Sequence, residues 1–208
     1  MEDLDRRGPT AFQQIALHTA IQQALADSKI QQSKCLIRTV YFGYFSPMRR
    51  QRIYVETTIP SLYHDERSSP AVAEMRWWTR KWWAEATKTH ELVTGAAVLY
   101  ELRVGPPTEH TRWLSLIAHL EVLEMVPRVI DIAETYRLHK LMPSGPSFDA
   151  VHLALASYYN CEVLVTWDRR HLANANKVQH IARINSRLGL SVPRLQTPLE
   201  LFGGSHGI

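Results

Sequence analysis

The stretch Arg52-Ile53-Tyr54-Val55-Glu56-Thr57-Thr58-Ile59-Pro60-Ser61 decides how the rest of the chain is read. Its β-branched and aromatic start predicts a strand, and the acid, two hydroxyls and proline that follow predict its end. Glu56 therefore falls at a strand's C-terminal edge. A second apolar run, Val163-Leu164-Val165-Thr166-Trp167-Asp168, does not alternate, which suits a strand buried on both faces of a parallel sheet. Asp168 also falls at a C-terminal edge. Between these runs, Leu92-Val93-Thr94 passes through Gly95 into the helical pattern Ala96-Ala97-Val98-Leu99-Tyr100-Glu101-Leu102. Phe148 likewise leads into Asp149-Ala150-Val151-His152-Leu153-Ala154-Leu155-Ala156. Glu101 is expected in an early helical turn and Asp149 at a helix start. In open α/β sheets, ligands bind beyond the carboxyl ends of the strands, where the next helices begin. All four acids are expected to converge there.

Taken singly, three of the acids have plain structural explanations. Asp149 suits a helix cap, Glu101 an exposed helical face, and Asp168 before Arg169-Arg170 a turn. Glu56 differs, because an acid directly after a buried strand carries a desolvation cost unless it is paired or meets a cation. Crowding four carboxylates into one cleft raises at least one pKa by like-charge repulsion unless a metal is present. Hard divalent cations prefer oxygen ligands and keep several waters, so a few carboxylates suffice to hold them. Such ions activate water and relieve phosphoryl charge in phosphodiester hydrolysis. Thr57, Thr58 and Thr166 would add hydroxyls beside the acids for a water or a phosphate, although strand propensity and turn chemistry account for them equally.

The blocks Tyr54 to Ser61, Val98 to Leu102, Asp149 to Ala156 and Leu164 to Asp168 resemble, in that order, the acidic blocks of PIN-domain ribonucleases, and are most similar to VapC-type toxins of bacterial toxin-antitoxin pairs. The resemblance covers roughly residues 52–202, including the tail Thr197-Pro198-Leu199-Glu200-Leu201. It implies a PIN-like α/β sandwich, a central parallel sheet flanked by helices. It also implies that Glu56, Glu101, Asp149 and Asp168 hold Mg²⁺ or Mn²⁺ and catalyse RNA phosphodiester cleavage, with an antitoxin partner and a homodimer. One departure is Glu56, where many such domains carry Asp; the extra methylene changes the spacing or number of ions held.

Composition agrees with a single domain plus an extension. The 208 residues, 45% hydrophobic, suffice for a substantial core. No apolar run approaches the roughly 18 residues of a membrane span, and no secretory signal opens the chain, so a cytoplasmic protein is expected. Cys35 and Cys161 are too few and too distant for a disulfide framework or zinc site. The organisation expected is an extension over 1–51, a PIN-like domain over 52–203 and a tail over 204–208. Residues 1–47 are read as a loosely attached extension or the product of an upstream start codon.

The net charge of +4 is unevenly placed. Residues 1–51 hold seven Lys/Arg against four Asp/Glu, leaving 52–208 nearly neutral. Within the latter, Arg169, Arg170, Lys177, Arg183, Arg187 and Arg194 follow Asp168 with no acid before Glu200. Arg169, Arg170, Arg183 and Arg187 are the expected RNA contacts, with a solvated helical face as the plain alternative for the last two. Residues 176–188 read as a helix burying Ile181, Ile184 and Leu188 and closed by Gly189. Residues 71–88 read as a helix with Ala71, Met75, Trp78, Trp82 and Ala86 on the core face, Trp83 at its border and Trp77 turned outward among cations. Trp77, an aromatic among cations, could stack a base or anchor a partner protein, and the resemblance to the toxins favours the partner. His152, one turn after Asp149, is read first as a packed residue and only second as a general base.

Three functional readings follow: a metal-dependent endoribonuclease, a non-catalytic PIN-like binding or assembly module, and a metal-dependent phosphatase. The third fits least, because Glu56-Thr57-Thr58 replaces the Asp-x-Asp arrangement such enzymes place after the first strand.

Overall fold

The computed structural model describes residues 50–142, 148–170, 172 and 177–204. The extension up to residue 49 with Cys35, the segment 143–147, His171 and Asn176 lie outside the described residues.

Five strands form one all-parallel sheet: β1 (Arg52–Val55), β2 (Glu91–Gly95), β3 (Glu121–Leu123), β4 (Val163–Val165) and β5 (Arg194–Gln196). Their order is β3-β2-β1-β4-β5, with Tyr54 level with Val93 on one side and Leu164 on the other. As the central strand, β1 is covered on both faces, and Ile53, Tyr54 and Val55 have no exposed surface. That is why its apolar run does not alternate. Each such side chain contributes about 1.5–3 kcal/mol by leaving water. The edge strands β3 and β5 are three residues each and carry exposed Glu121 and Arg194, which discourages pairing with another chain.

The chain leaves β1 toward β2 and β3, then returns to place β4 and β5 on the other side. This reversal makes the gap between β1 and β4 the switch point, where successive connections diverge and leave a crevice at the carboxyl ends. Glu56 and Asp168 follow the two strands that border it. The Glu56 amide still donates to the Val165 carbonyl at 3.3 Å, so the acid is held at the sheet's edge by backbone pairing.

The helices are α1 (Thr58–His64), α2 (Pro70–Thr89), α3 (Ala96–Val104), α4 (Pro107–Ile117), α5 (Pro127–Leu138), α6 (Asp149–Tyr158), α7 (Val178–Leu188) and α8 (Pro198–Gly204). Three of their limits are plainly written in local chemistry. Pro70 opens α2 behind a Ser69 cap, Gly189 closes α7 in the left-handed conformation (φ 68°), and Thr197 with Glu200 forms a reciprocal capping box before α8. Pro107 opens α4, because a proline's fixed φ and missing N–H suit a helix's first turn.

The tryptophan face of α2 departs from the expected stripe. Trp82, Trp83 and Ala86 are buried with Thr79, Met75 and Trp78 are half-buried, and Ala71 is exposed because it lies in the opening turn. Trp83 is fully part of the core, edge-on to Trp82 and Tyr63. Thr79 is buried because its hydroxyl accepts a hydrogen bond from the Trp167 indole at 2.8 Å, which docks α2 beside the end of β4. Trp77 points outward as expected, half exposed, with the Lys81 ammonium 5.2 Å from its ring centre. Burial pushes the free Cys161 thiol up to about 12. No helix among the described residues is long and apolar enough to cross a membrane.

Candidate metal centre

Glu56 leaves β1 directly and is only 6% exposed. Its Oε2 accepts from the Thr58 amide at 3.0 Å and the Thr58 hydroxyl at 2.6 Å. The Thr58 hydroxyl also accepts from the Trp167 amide at 2.9 Å and lies 3.5 Å from that of Thr166. Thr166 in turn accepts from the Asp168 amide at 2.9 Å. These bonds stitch the ends of β1 and β4 together around the crevice, so Thr58 anchors Glu56 and Thr166 anchors the Asp168 backbone.

Glu101 arrives from α3. It stands in that helix's second turn rather than its first, because Ala96 continues from Gly95 with no intervening loop. One turn in, the side chain reaches back over the sheet's carboxyl edge. Its Oε2 accepts from the Thr57 hydroxyl and faces His152 Nε2 at 2.8 Å. Thr57 is the residue before α1 yet makes no side-chain cap there, since its hydroxyl is spent on Glu101.

His152 is the residue that the sequence reading undervalued. It lies three residues after Asp149 on α6, so both project toward the same side of the helix. It is 1% exposed, with Nδ1 2.9 Å from the Tyr54 hydroxyl and Nε2 on Glu101. Ligand atoms of Glu56, Glu101 and His152 all lie within 4.8 Å of one another. The i, i+3 spacing from Asp149 was the available signal; nothing in the sequence pointed to Tyr54.

Asp149 and Asp168 flank this trio. Asp149 is the first residue of α6, half-buried, with Phe148 rather than Asp149 at the cap position. Its charge acts on His152. Asp168 is half-buried three residues beyond β4, and its Oδ1 accepts from the Arg170 amide at 3.0 Å. Both aspartates act on half-buried Lys177, whose pKa is lowered by burial against their pull. The structure therefore gathers Glu56 and Glu101 with His152, and sets Asp149 and Asp168 around them with Lys177. Arg169, Arg170, Arg183 and Arg187 are all exposed, the first two beside Asp168.

The electrostatics follow from burial and pairing. Burial raises Glu56, with Glu101 adding to the shift and His152 and Thr58 opposing it. Burial would raise Glu101 too, but the charge and hydrogen bond of His152, with Thr57's bond, hold it below the usual range. Burial would lower His152, yet Glu101, then Glu56 and Asp149, raise it. Burial, then Glu101 and Glu56, push Tyr54 well up, so its phenol keeps the proton. Two carboxylate charges within 4.8 Å repel by on the order of 3 kcal/mol at an effective dielectric near 20. His152 offsets part of that repulsion, and Glu56 stays raised. The trio is thus short of positive charge, and its oxygen-rich donors fit a hard divalent cation.

The family model described as PIN domain matches residues 53–177. No curated protein matches the chain in sequence. Among solved structures, the crystal structure of VapBC2 from Rickettsia felis bound to a DNA fragment from their promoter is similar at TM-score 0.45 and 14% identity, over 71% of this chain and 98% of that chain.

Proposed function

From a chain that belongs to the PIN domain family, we propose a metal-dependent endoribonuclease, the toxin of a toxin-antitoxin pair. The observation that carries the reading is the meeting of Glu56 and Glu101 over the carboxyl edge of the sheet, with the Asp149 helix supplying His152 between them. A module that only binds gains nothing from burying Glu56 beside a second carboxylate, whose repulsion His152 offsets only in part.

Glu56 and Glu101 would hold Mg²⁺ or Mn²⁺, with Asp149 and Asp168 on its open side. The bound ion would supply charge relief at the phosphoryl group and an acidified water. Thr58 holds Glu56 and Thr57 holds Glu101, so neither carboxylate has to reorganise when RNA arrives. Asp149 and Asp168, both half-buried, would serve proton transfer to or from the reacting oxygens. Arg169 and Arg170, exposed next to Asp168, would hold phosphates, and Arg183 and Arg187 on α7 would extend that basic surface. Trp77 with Lys81 offers an aromatic anchor to an antitoxin, as a half-exposed tryptophan does at protein interfaces. A homodimer is part of this reading through the family blocks.

The test is cleavage of labelled structured and single-stranded RNAs by purified protein with Mg²⁺ or Mn²⁺. Controls are EDTA, Glu101→Gln and Asp149→Asn. Cutting is expected only with the ion, falling by roughly two to three orders of magnitude in either variant, the scale of losing one transition-state electrostatic contact. Folded protein that binds neither ion and cuts no RNA would point instead to a binding module.

A further inference from the structure

The buried chain behind Glu101 has a feature that catalysis alone does not explain. Gly95, the last residue of β2, has φ −132° and ψ 159°, extended backbone open to any residue. Its lack of a side chain matters for space. A Cβ there would stand 2.5 Å from the Tyr54 hydroxyl and 2.7 Å from Leu155 Cδ1. The glycine makes room for a phenol oxygen in the fully buried centre of the sheet.

That oxygen lies 2.9 Å from His152 Nδ1, and His152 Nε2 lies 2.8 Å from Glu101 Oε2. The carboxylate has no proton to give, so Nε2 donates in either charge state of the ring. The Tyr54 hydroxyl serves the other nitrogen in both states, donating to a neutral ring and accepting from a charged one. With the Thr57 hydroxyl also on Oε2, that oxygen is pinned by two donors. Oε1 accepts from no donor among the described residues.

We propose that Tyr54 and His152 are positioning residues for the divalent cation: the phenol fixes the imidazole, and the imidazole fixes the Glu101 carboxylate so that Oε1 is left for the ion. The proposal rests on the metal-dependent reading above. It assigns His152 no bond to the ion, since Nε2 is committed to Glu101 and Nδ1 to Tyr54. Partners that orient a ligand in this way typically govern metal affinity by about 10–100-fold.

The experiment is calorimetric titration of Mn²⁺ into the full chain, Tyr54→Phe, His152→Ala, His152→Gln and Glu101→Gln, with metal-free melting curves for each. The parent should bind, and Glu101→Gln should bind least. Tyr54→Phe, which keeps the ring and removes only the hydroxyl, should bind about tenfold more weakly. His152→Ala should lose about 10–100-fold, and His152→Gln should recover much of that loss because its amide N–H replaces Nε2–H. Recovery by an amide separates positioning from mere packing. Parent-like affinity in both Tyr54→Phe and His152→Ala would overturn the proposal while leaving the metal reading intact. So would His152→Gln as weak as Glu101→Gln beside an unaffected Tyr54→Phe, which would make His152 itself a ligand. A parent chain that binds no Mn²⁺ would overturn the metal reading and this proposal together.

Discussion

Two buried polar networks, each headed by a tyrosine hydroxyl, meet the same helix α6 at opposite ends, and they differ in how they finish. At the C-terminal end, Tyr136 donates to Asn185 Oδ1 at 2.6 Å. The Asn185 amide donates to Ser157 Oγ at 3.0 Å and to the Ser191 carbonyl at 2.5 Å. Ser191 Oγ donates to the Ser157 carbonyl at 2.8 Å, which closes the network. Every member is neutral, and together they tie α5, α6 and the turn after α7 into one unit. At the N-terminal end, Tyr54, His152, Glu101 and Thr57 form a network of ionisable groups that finishes on a carboxylate 26% exposed at the crevice. A closed neutral network holds a fold together; an open charged one keeps a chemical group aimed at solvent. The difference implies that the first should govern stability and the second its dependence on pH and metal.

The largest effect expected from breaking this comparison is on the neutral side. Asn185→Leu would remove the acceptor of the Tyr136 hydroxyl and the donor to Ser157 Oγ and to the Ser191 carbonyl, leaving the two hydroxyls only each other, at about 1–3 kcal/mol for each group left unsatisfied. Urea unfolding should show a midpoint lowered accordingly with an unchanged slope, and metal affinity of the folded protein should match the parent. A normal midpoint would show that the network is dispensable.

The charged side should respond to pH. The folded-state pKa of His152 is raised above its ordinary 6.5 by Glu101, despite burial. A raised value means that this stabilisation is fully present below 6.5 and is lost as pH climbs through the folded-state value. Glu101 is held below its ordinary 4.5, so its contribution is present above 4.5 and lost as pH falls through the lower value. In EDTA, the melting temperature of the parent should therefore decline as pH rises above 6.5. His152→Gln should flatten that limb, whereas Asn185→Leu should keep its slope at a lower baseline. Parallel curves for the parent and His152→Gln would remove the distinction between the networks.

A smaller effect of opposite sign is expected at Glu56. Burial raises this carboxyl, so its charge works against folding. Glu56→Gln keeps an acceptor for Thr58 and should raise the metal-free melting temperature slightly while weakening Mn²⁺ binding. A fall in melting temperature would show that the charge is already compensated within the protein.

Much of the fold was legible in the chain. The non-alternating runs at Tyr54 and Leu164 announced buried parallel strands, and Gly95 and Gly189 marked element ends through local stereochemistry. The edge strands β3 and β5 escaped notice, because three residues ending on solvent carry too little pattern to separate a strand from a loop. The positions of Asp149 at a helix start and Asp168 just past a strand end were legible because such ends are local features. The burial of Thr79 was not, because it depends on Trp167, 88 residues away.

The sequence by itself determined the class of the protein and the stations of its acids, since periodicity, turn chemistry and the placing of Glu56, Glu101, Asp149 and Asp168 are all short-range information. Only the tertiary structure decided that Glu56 and Glu101 meet at His152, and that Tyr54 stands behind it. His152 lies 51 positions from its hydrogen-bonded partner Glu101 and 98 from its partner Tyr54. Their meeting depends on the register of β1 between β2 and β4 and on the space left by Gly95, which no local pattern encodes.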